Sequence, residues 1–273
     1  KSRELKNIGT EVPLTSIIKN KFVSSNLEIG SKSLPLGDLI KFARGAYNSP
    51  ELFILGKIIK KGHVIFDLKI NYDENGKIKD DYEIKGIIKD GKIQIFNNYI
   101  YEKINFIFNL KKQEIKVQEI KFATNKINFF SDNINIKQKE DTFFIDGTVK
   151  NKNATLSRNF LKIVNLNFKN LNFDNTIFSS INNFSFEVNK KFKLKNIFLK
   201  SDIDLDQLKY ERENYILDYF PKLNEEIVLK NHKLKLEYSK NLLSIIGEGE
   251  IKLEENFNKI DFILENIDQN FNI

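Results

Sequence analysis

The chain has 273 residues, of which 41% are hydrophobic and 30% charged, with a formal net charge of +7. That length and apolar content support a sizeable core and exclude a disordered chain. The lack of Cys excludes disulfides, thiol chemistry and Cys-ligated metal, and no stretch approaches the roughly 18–20 continuous apolar residues of a membrane helix.

The chain also lacks Met. Lys1 is therefore not expected to be a translation start, and any signal peptide or anchor is expected outside this sequence. Among the first 30 residues, Ser16–Phe22 reads as a strand or a short helix. Ser33–Tyr47 reads as a helix, with Leu36, Leu39, Ile40, Ala43 and Tyr47 at helical spacing and Pro35 suited to a first turn. Ser49–Lys61 reads as a second helix, with Ser49 as N-cap, Pro50 at the first position and Gly62 at the exit. Its apolar residues (Leu52, Phe53, Ile54, Leu55, Ile58, Ile59) lie on several sides, so burial is expected. The two helices are expected to cap a sheet, with residues 1–62 as an N-terminal segment.

From His63 the apolar period changes from 3.6 to 2. Strands are expected at Val64–Tyr72, Tyr82–Lys89 and Lys92–Asn97. Asp73–Gly76 is the turn between the first two, and Asp90-Gly91 is a hairpin between the last two. Further strands follow at Ile104–Leu110, Glu114–Phe122, Lys126–Phe130, Ile134–Gln138 and Phe143–Lys150. In the first of these, Phe106 and Phe108 are expected on one face and Asn105 and Asn109 on the other. The pattern resumes through Leu161–Phe168, Leu171–Phe173, Asn183–Val188, Phe192–Lys200 and Ile203–Leu205. Leu208–Phe220 reads as a helix ended by Pro221. Strands return at Ile227–Lys230, Lys233–Tyr238, Leu242–Ile246, Gly249–Leu253 and Ile260–Leu264. These are short strands bounded by Asn, Asp, Gly or Lys, the sequence of an antiparallel meander and not of βαβ units. Residues 63–273 are expected to form one continuous β body with a helix near 208–220. A weak echo links SDNINIKQK at Ser131–Lys139 with SDIDLDQLK at Ser201–Lys209.

The sequence offers little catalytic chemistry. His63 and His232 are far apart, with His232 in an expected turn. Asp202, Asp204 and Asp206 alternate, which reads as a solvated strand edge. Glu225-Glu226 reads as an exposed loop. No phosphate loop, nucleophile elbow or metal-ligand spacing appears. The expectation is a protein that is not an enzyme and carries no cofactor or metal. Lys residues are spread singly among Asn and Glu, which reads as a solvated sheet face and does not point to nucleic acid.

A strand with one clean apolar face must cover that face. Two solutions are open. One is a closed core, a β-sandwich or barrel. The other is a long, strongly twisted antiparallel sheet curled into an elongated groove, where fatty acyl chains complete the burial. Few helices are available as cover after Lys61, which favours the groove.

The run Leu55–Ile95, and within it EIKGIIKDGKIQI at Glu83–Ile95, resembles the AsmA-like proteins of Gram-negative envelopes, which include the YhdP and TamB groups. FFIDGTVKN at Phe143–Asn151 and LSIIGEGEIKL at Leu243–Leu253 are similar to that family's other recurring elements. The resemblance spans about Leu34 to Leu264 and rests on strand rhythm. It implies a non-catalytic, lipid-binding segment of a bridge-like protein that conducts phospholipids between inner and outer membranes. It also implies a periplasmic body with an inner-membrane anchor in a segment outside this sequence. The expected partners are phospholipid acyl chains, and a membrane through those other parts. The expected groove lining is Ile104, Phe106, Phe108, Leu110, Ile115, Val117, Ile127, Phe129, Ile134, Ile136, Phe184, Phe186 and Val188. The rival function is a structural or adhesive β-sandwich whose basic surface binds an anionic polymer.

Overall fold

The structure is a computed structural model, which describes residues 5–11, 25–46, 50–73, 75–95, 99–156, 171–172, 176–189, 193–211, 224, 226–267 and 270–272. It is mainly β. In chain order the elements are β1 (Leu5–Glu11), β2 (Asn26–Ser31), β3 (Leu34–Pro35), α1 (Leu36–Ala46), α2 (Pro50–Ile58), β4 (Ile59–Asn71), β5 (Glu83–Ile95), β6 (Tyr99–Lys111), β7 (Glu114–Thr124), β8 (Ile127–Lys139), β9 (Thr142–Thr155), β10 (Leu171–Asn172), β11 (Ile177–Asn189), β12 (Leu194–Glu211), β13 (Glu226–Ser239), β14 (Leu242–Lys252), β15 (Phe257–Ile267) and β16 (Asn270–Asn272). The expected segments Ser16–Phe22 and Leu161–Phe168 lie outside the described residues.

The chain divides into two compact units. One comprises Lys1–Thr124, Ser131–Ile145 and Val188–Lys193, and the other Asn125–Phe130, Asp146–Glu187 and Leu194–Ile273. In the first unit the strand order is β1-β2-β4-β5-β6-β7, with β3 also on β4. In the second it is β12-β13-β14-β15-β16, with β10 on β12. The residues of β8, β9 and β11 are divided between the units. The registers described within the units are antiparallel and join strands close in sequence, as a meander requires.

The helices form where capping and spacing agree. In α1, Asp38 in the first turn and Arg44 in the last complement the helix dipole. Leu36 and Ile40, four residues apart, are its buried positions. Pro50 opens α2 at the position where a missing N–H does no harm. The helices pack on each other and on the strands beside them, α1 on β3 and β4, and α2 on β4 and β5. Gly56 of α2 faces Ile40 and Arg44 of α1. α2 is not buried as expected: Phe53 is 44% and Leu55 39% exposed. A helix that is apolar all round but covered on one side only must leave part of its surface in water.

Several expected breaks turn out to be continuous strand: residues 131–133 lie within β8, 201–202 within β12 and 247–248 within β14, and three further departures have a visible cause. Asp90-Gly91 is not a hairpin but the middle of β5. Two residues of β6, Ile104 and Phe106, face Gly91 and Ile88, so β5 carries one extra residue there. Asp90 takes φ 50°, and its N–H donates to Asn105 Oδ1 at 3.1 Å. This is a β-bulge. His232 is likewise no turn residue. β13 passes through it, with a register shift between Lys230 and Lys233 and Asn231 at φ 53°. Third, Leu208–Glu211, expected as the start of a helix, belong to β12, paired from Leu208↔Leu229 to Glu211↔Glu226. Residues 212–220 of that expected helix lie outside the described residues. Glu226, expected in a loop, starts β13 and accepts Lys209 Nζ at 2.8 Å.

The Asp73–Gly76 turn forms as expected. Gly76 N–H donates to the Asp73 carbonyl at 3.0 Å. Asp73 Oδ1 accepts from the N–H groups of Asn75 at 2.8 Å and Lys77 at 2.9 Å. These bonds, that of Lys77 first, hold the Asp73 carboxyl below its ordinary pKa.

Candidate functional site

Residues directly opposite in neighbouring strands share a face. Applied across the first unit, this rule assembles one row of side chains over six strands. Ile8 of β1 opposes Ile29 of β2, which opposes Leu68 of β4. Leu68 opposes Ile84 of β5, which opposes Leu110 of β6, which opposes Ile115 of β7. All six are Ile or Leu. At the usual strand spacing of about 4.8 Å the row is about 24 Å long. A second row beside it runs Phe66, Gly86, Phe108, Val117, and a third runs Val64, Ile88, Phe106.

Gly86 is the gap that lets the second row lie flat. A Cβ there would stand 2.6 Å from Phe108 Cζ and 2.6 Å from the Ile65 carbonyl oxygen. The Phe108 ring therefore lies across β5 instead of standing on the sheet. Phe106 follows it, with ring centroids 6.3 Å apart, edge to face. The second unit uses the same device. The Phe262 ring lies over Gly247, and the His232 ring over Gly249. His232 is buried; its Nε2 is 3.1 Å from the Glu250 carbonyl and its ring 6.4 Å from that of Phe262.

The three rows are not a sealed interior. Val64 is buried, but Ile29, Phe66, Leu68, Ile84, Ile88, Phe106, Phe108, Leu110, Ile115 and Val117 are only half-buried, and Ile8 is exposed. In a closed sandwich such positions are covered by a second layer about 10 Å away. The opposite face of the same strands is mixed: it carries the isoleucine row Ile65, Ile87, Ile107, and beside that row it is polar. Asn109 opposes Lys85 and Lys116, and Glu83 opposes Lys111. The Glu83 carboxylate receives Lys111 Nζ at 3.0 Å and Lys85 Nζ at 3.2 Å. Lys111 beside it, with Lys85 and Asn109, holds Glu83 below its ordinary pKa against the opposing cost of desolvation. Phe106 and Phe108 thus lie on one face, and Asn109 on the other, as alternation requires.

Of the expected lining, the register unites Phe106, Phe108, Leu110, Ile115 and Val117 in this face, and Ile104, opposite Gly91, continues it. Ile134 and Ile136 are half-buried in β8. In the second unit, Ile127 and Phe129 are buried, at 2% and 9% exposure. Phe184 and Phe186 stack with centroids 5.8 Å apart and are half-buried. Val188 of β11, which belongs to the first unit, is half-buried too. Sequence reasoning missed Ile8, Ile29, Val64, Phe66, Leu68, Ile84 and Ile88 as members of the first unit's face. Alternation in β4 and β5 was visible, but not the register that aligns them with β6.

No family model, no curated protein and no solved structure matches this chain. The function must be argued from this geometry.

Ordinary site chemistry is sparse. Among the described residues no three His, Asp, Glu or Cys side chains gather as metal ligands. Asp202 and Asp204 are not a free strand edge, because they oppose Lys235 and Lys233 along β13. A shallow cleft of about 260 Å³ beside the Asn231 bulge is lined by Asp204, Asp206, His232 and Lys233 among others. No helix among the described residues is long and apolar enough to cross a membrane. Tyr101 adds to the apolar character of the first unit: burial raises its phenol pKa, and its ring meets Phe122 at 6.1 Å.

Proposed function

We propose that this chain binds lipid acyl chains along the apolar face of its sheet, without catalysis. The observation that carries this reading is the row Ile8, Ile29, Leu68, Ile84, Leu110, Ile115, continuous over six strands yet only partly covered. An exposed apolar strip of this kind calls for an occupant. A flexible acyl chain fits it, because binding needs no directional contact and gains about 0.8 kcal/mol for each CH₂ buried. The strip's length, about 24 Å, exceeds half of the ~30 Å bilayer core, the reach of one extended acyl chain. The flat-lying Phe108 ring keeps the strip low, and on the opposite face the charged residues Glu83, Lys85 and Lys111 flank the six-strand row's positions.

The resemblance to AsmA-like proteins supports the finer reading. In it the chain is a segment of a bridge-like lipid-transfer protein of the Gram-negative periplasm, and the face is a stretch of a groove. A closed adhesive sandwich fits less well, since its core rows would be fully covered.

Native mass spectrometry of the purified chain, with extraction of bound lipid, tests this. We expect adducts of phospholipid mass that disappear on extraction. A clean apo mass after purification from a phospholipid-rich lysate, with no uptake from added lipid, would overturn the reading.

A further inference from the structure

The segment from Lys32 to Lys61 contains α1 and α2. It holds six Lys or Arg against two Asp or Glu, so +4 of the chain's formal +7 sits in these thirty residues. The same segment exposes large apolar side chains: Phe42 at 60%, Phe53 at 44% and Leu55 at 39%. Phe53 is set between two cations. Arg44 Cζ is 5.2 Å and Lys57 Nζ 4.4 Å from its ring centroid. Lys60 Nζ donates to the Lys57 carbonyl at 2.7 Å, which brings a third cation to the end of α2. Arg44, Lys57 and Lys60 are all exposed.

Phe53 joins an apolar ring that is still partly open to water with two cations beside it, and Phe42 and Leu55 add exposed apolar surface to the same helix pair. This combination suits an interface where one side is apolar and the other anionic. Helices that lie in a lipid surface combine Phe or Leu with Lys or Arg in this way. Clustered Lys and Arg are drawn to anionic headgroups, and the attraction is screened by salt. A purely phosphate-bearing partner would use the cations but leave Phe42, Phe53 and Leu55 in water.

We propose that the α1–α2 pair docks on an anionic lipid surface, with Phe53 entering the headgroup boundary and Arg44, Lys57 and Lys60 meeting lipid phosphates. Docking is separate from acyl-chain uptake on the sheet. Either can fail without the other.

The test is co-flotation of the full chain with phosphatidylcholine vesicles and with phosphatidylcholine–phosphatidylglycerol vesicles, at low and high salt. We expect binding to the mixed vesicles only, and its loss at high salt. Arg44→Gln/Lys57→Gln should bind on the order of thirty-fold more weakly. Phe53→Ser should bind more weakly with its salt dependence unchanged. These positions are exposed, and retained circular dichroism checks that the variants fold. Lys116→Gln/Lys121→Gln removes the same charge from β7 and should leave binding intact. Equal binding to both vesicle types, no flotation of the unaltered chain, or equal loss in the β7 variant would overturn the proposal. Lipid extraction from each variant reports separately on the sheet: Arg44→Gln/Lys57→Gln should keep its co-purified lipid.

Discussion

Gly86 and Glu83 sit three residues apart in β5, so alternation sends them to opposite faces: Gly86 lies on the apolar face and Glu83 on the polar one. Each yields a prediction. Replacing Gly by Ala in an ordinary strand gains roughly 0.5–1 kcal/mol from lost backbone freedom. At Gly86 the new methyl would meet the Phe108 ring and the Ile65 carbonyl, both at 2.6 Å, and the second is backbone that cannot turn aside. Gly86→Ala should therefore destabilise the chain by about 1–3 kcal/mol, as overpacking does. A lowered urea midpoint with unchanged slope is the expected result. Glu83 makes a pH-dependent contribution. Its pKa is depressed in the fold, chiefly by Lys111, so its stabilisation is present above the unfolded value and is lost as pH falls through the folded one. Thermal melts from neutral to acid pH should show a shallower acid decline for Glu83→Gln than for the unaltered chain. Coincident curves would mean that the pair is fully screened by solvent.

At the scale of the element, the strands of the first unit share a device. β5, β6 and β7 each hold one extra residue, at Asp90, Lys103 and Glu119, and each of these lies at positive φ: 50°, 54° and 52°. An extra residue shifts alternation by one. In β6 the apolar phase is odd at Tyr99 and Tyr101 and even from Ile104 to Leu110; in β7 it is odd at Ile115 and Val117 and even at Ile120 and Phe122. The bulge keeps both phases on one face. The alternation at Ile104–Leu110 was legible in the sequence, whereas the bulge in β5 reads locally as a turn. Asp90-Gly91 has the residues of a hairpin turn. But the apolar runs on both sides of it find partners on the same flanking strands, β4 and β6, and pairing overrides the local turn preference. Asn231-His232 was misread in the same way, and the register that joins Ile29 to Leu68 has no local signal at all. The two N-terminal helices were readable because caps and spacing are local, although Ile59–Lys61 of the second belong to β4; the helix expected from Leu208 was misread, because its first residues pair with β13. The αL bulge residues are not glycine, and a side chain there costs about 1–2 kcal/mol. Lys103→Gly should relieve that strain and stabilise the chain by up to about 1 kcal/mol, while Lys116→Gly, in regular strand, should destabilise it by about 0.5–1 kcal/mol. Chemical denaturation of the two variants side by side measures the contrast.

For the molecule as a whole the question is which apolar positions are core and which are available to a ligand. The expected lining was chosen by alternation alone, and alternation cannot separate the two, because it reports a face and not what covers it. The structure separates them by burial. Phe108 is half-buried in the first unit, with its ring spread over Gly86. Phe129 is 9% exposed in the second. A carboxylate at Phe108 can reach water or a lipid headgroup from an open face. At Phe129 it must be buried without a partner, at a cost of several kcal/mol, and the domain then fails to hold. Phe108→Asp should therefore fold, with an unchanged β-type circular dichroism spectrum and a melting temperature within a few degrees of the unaltered chain. It should carry much less extractable lipid, because the charge interrupts the middle of the apolar strip. Phe129→Asp should aggregate or lose its cooperative melt. If Phe108→Asp unfolds as readily as Phe129→Asp, the first unit's face is sealed core and the acyl-chain reading loses its support. If Phe108→Asp folds and retains full lipid, the occupant lies on other strands, and the strip through Leu68, Ile84 and Leu110 is not its path.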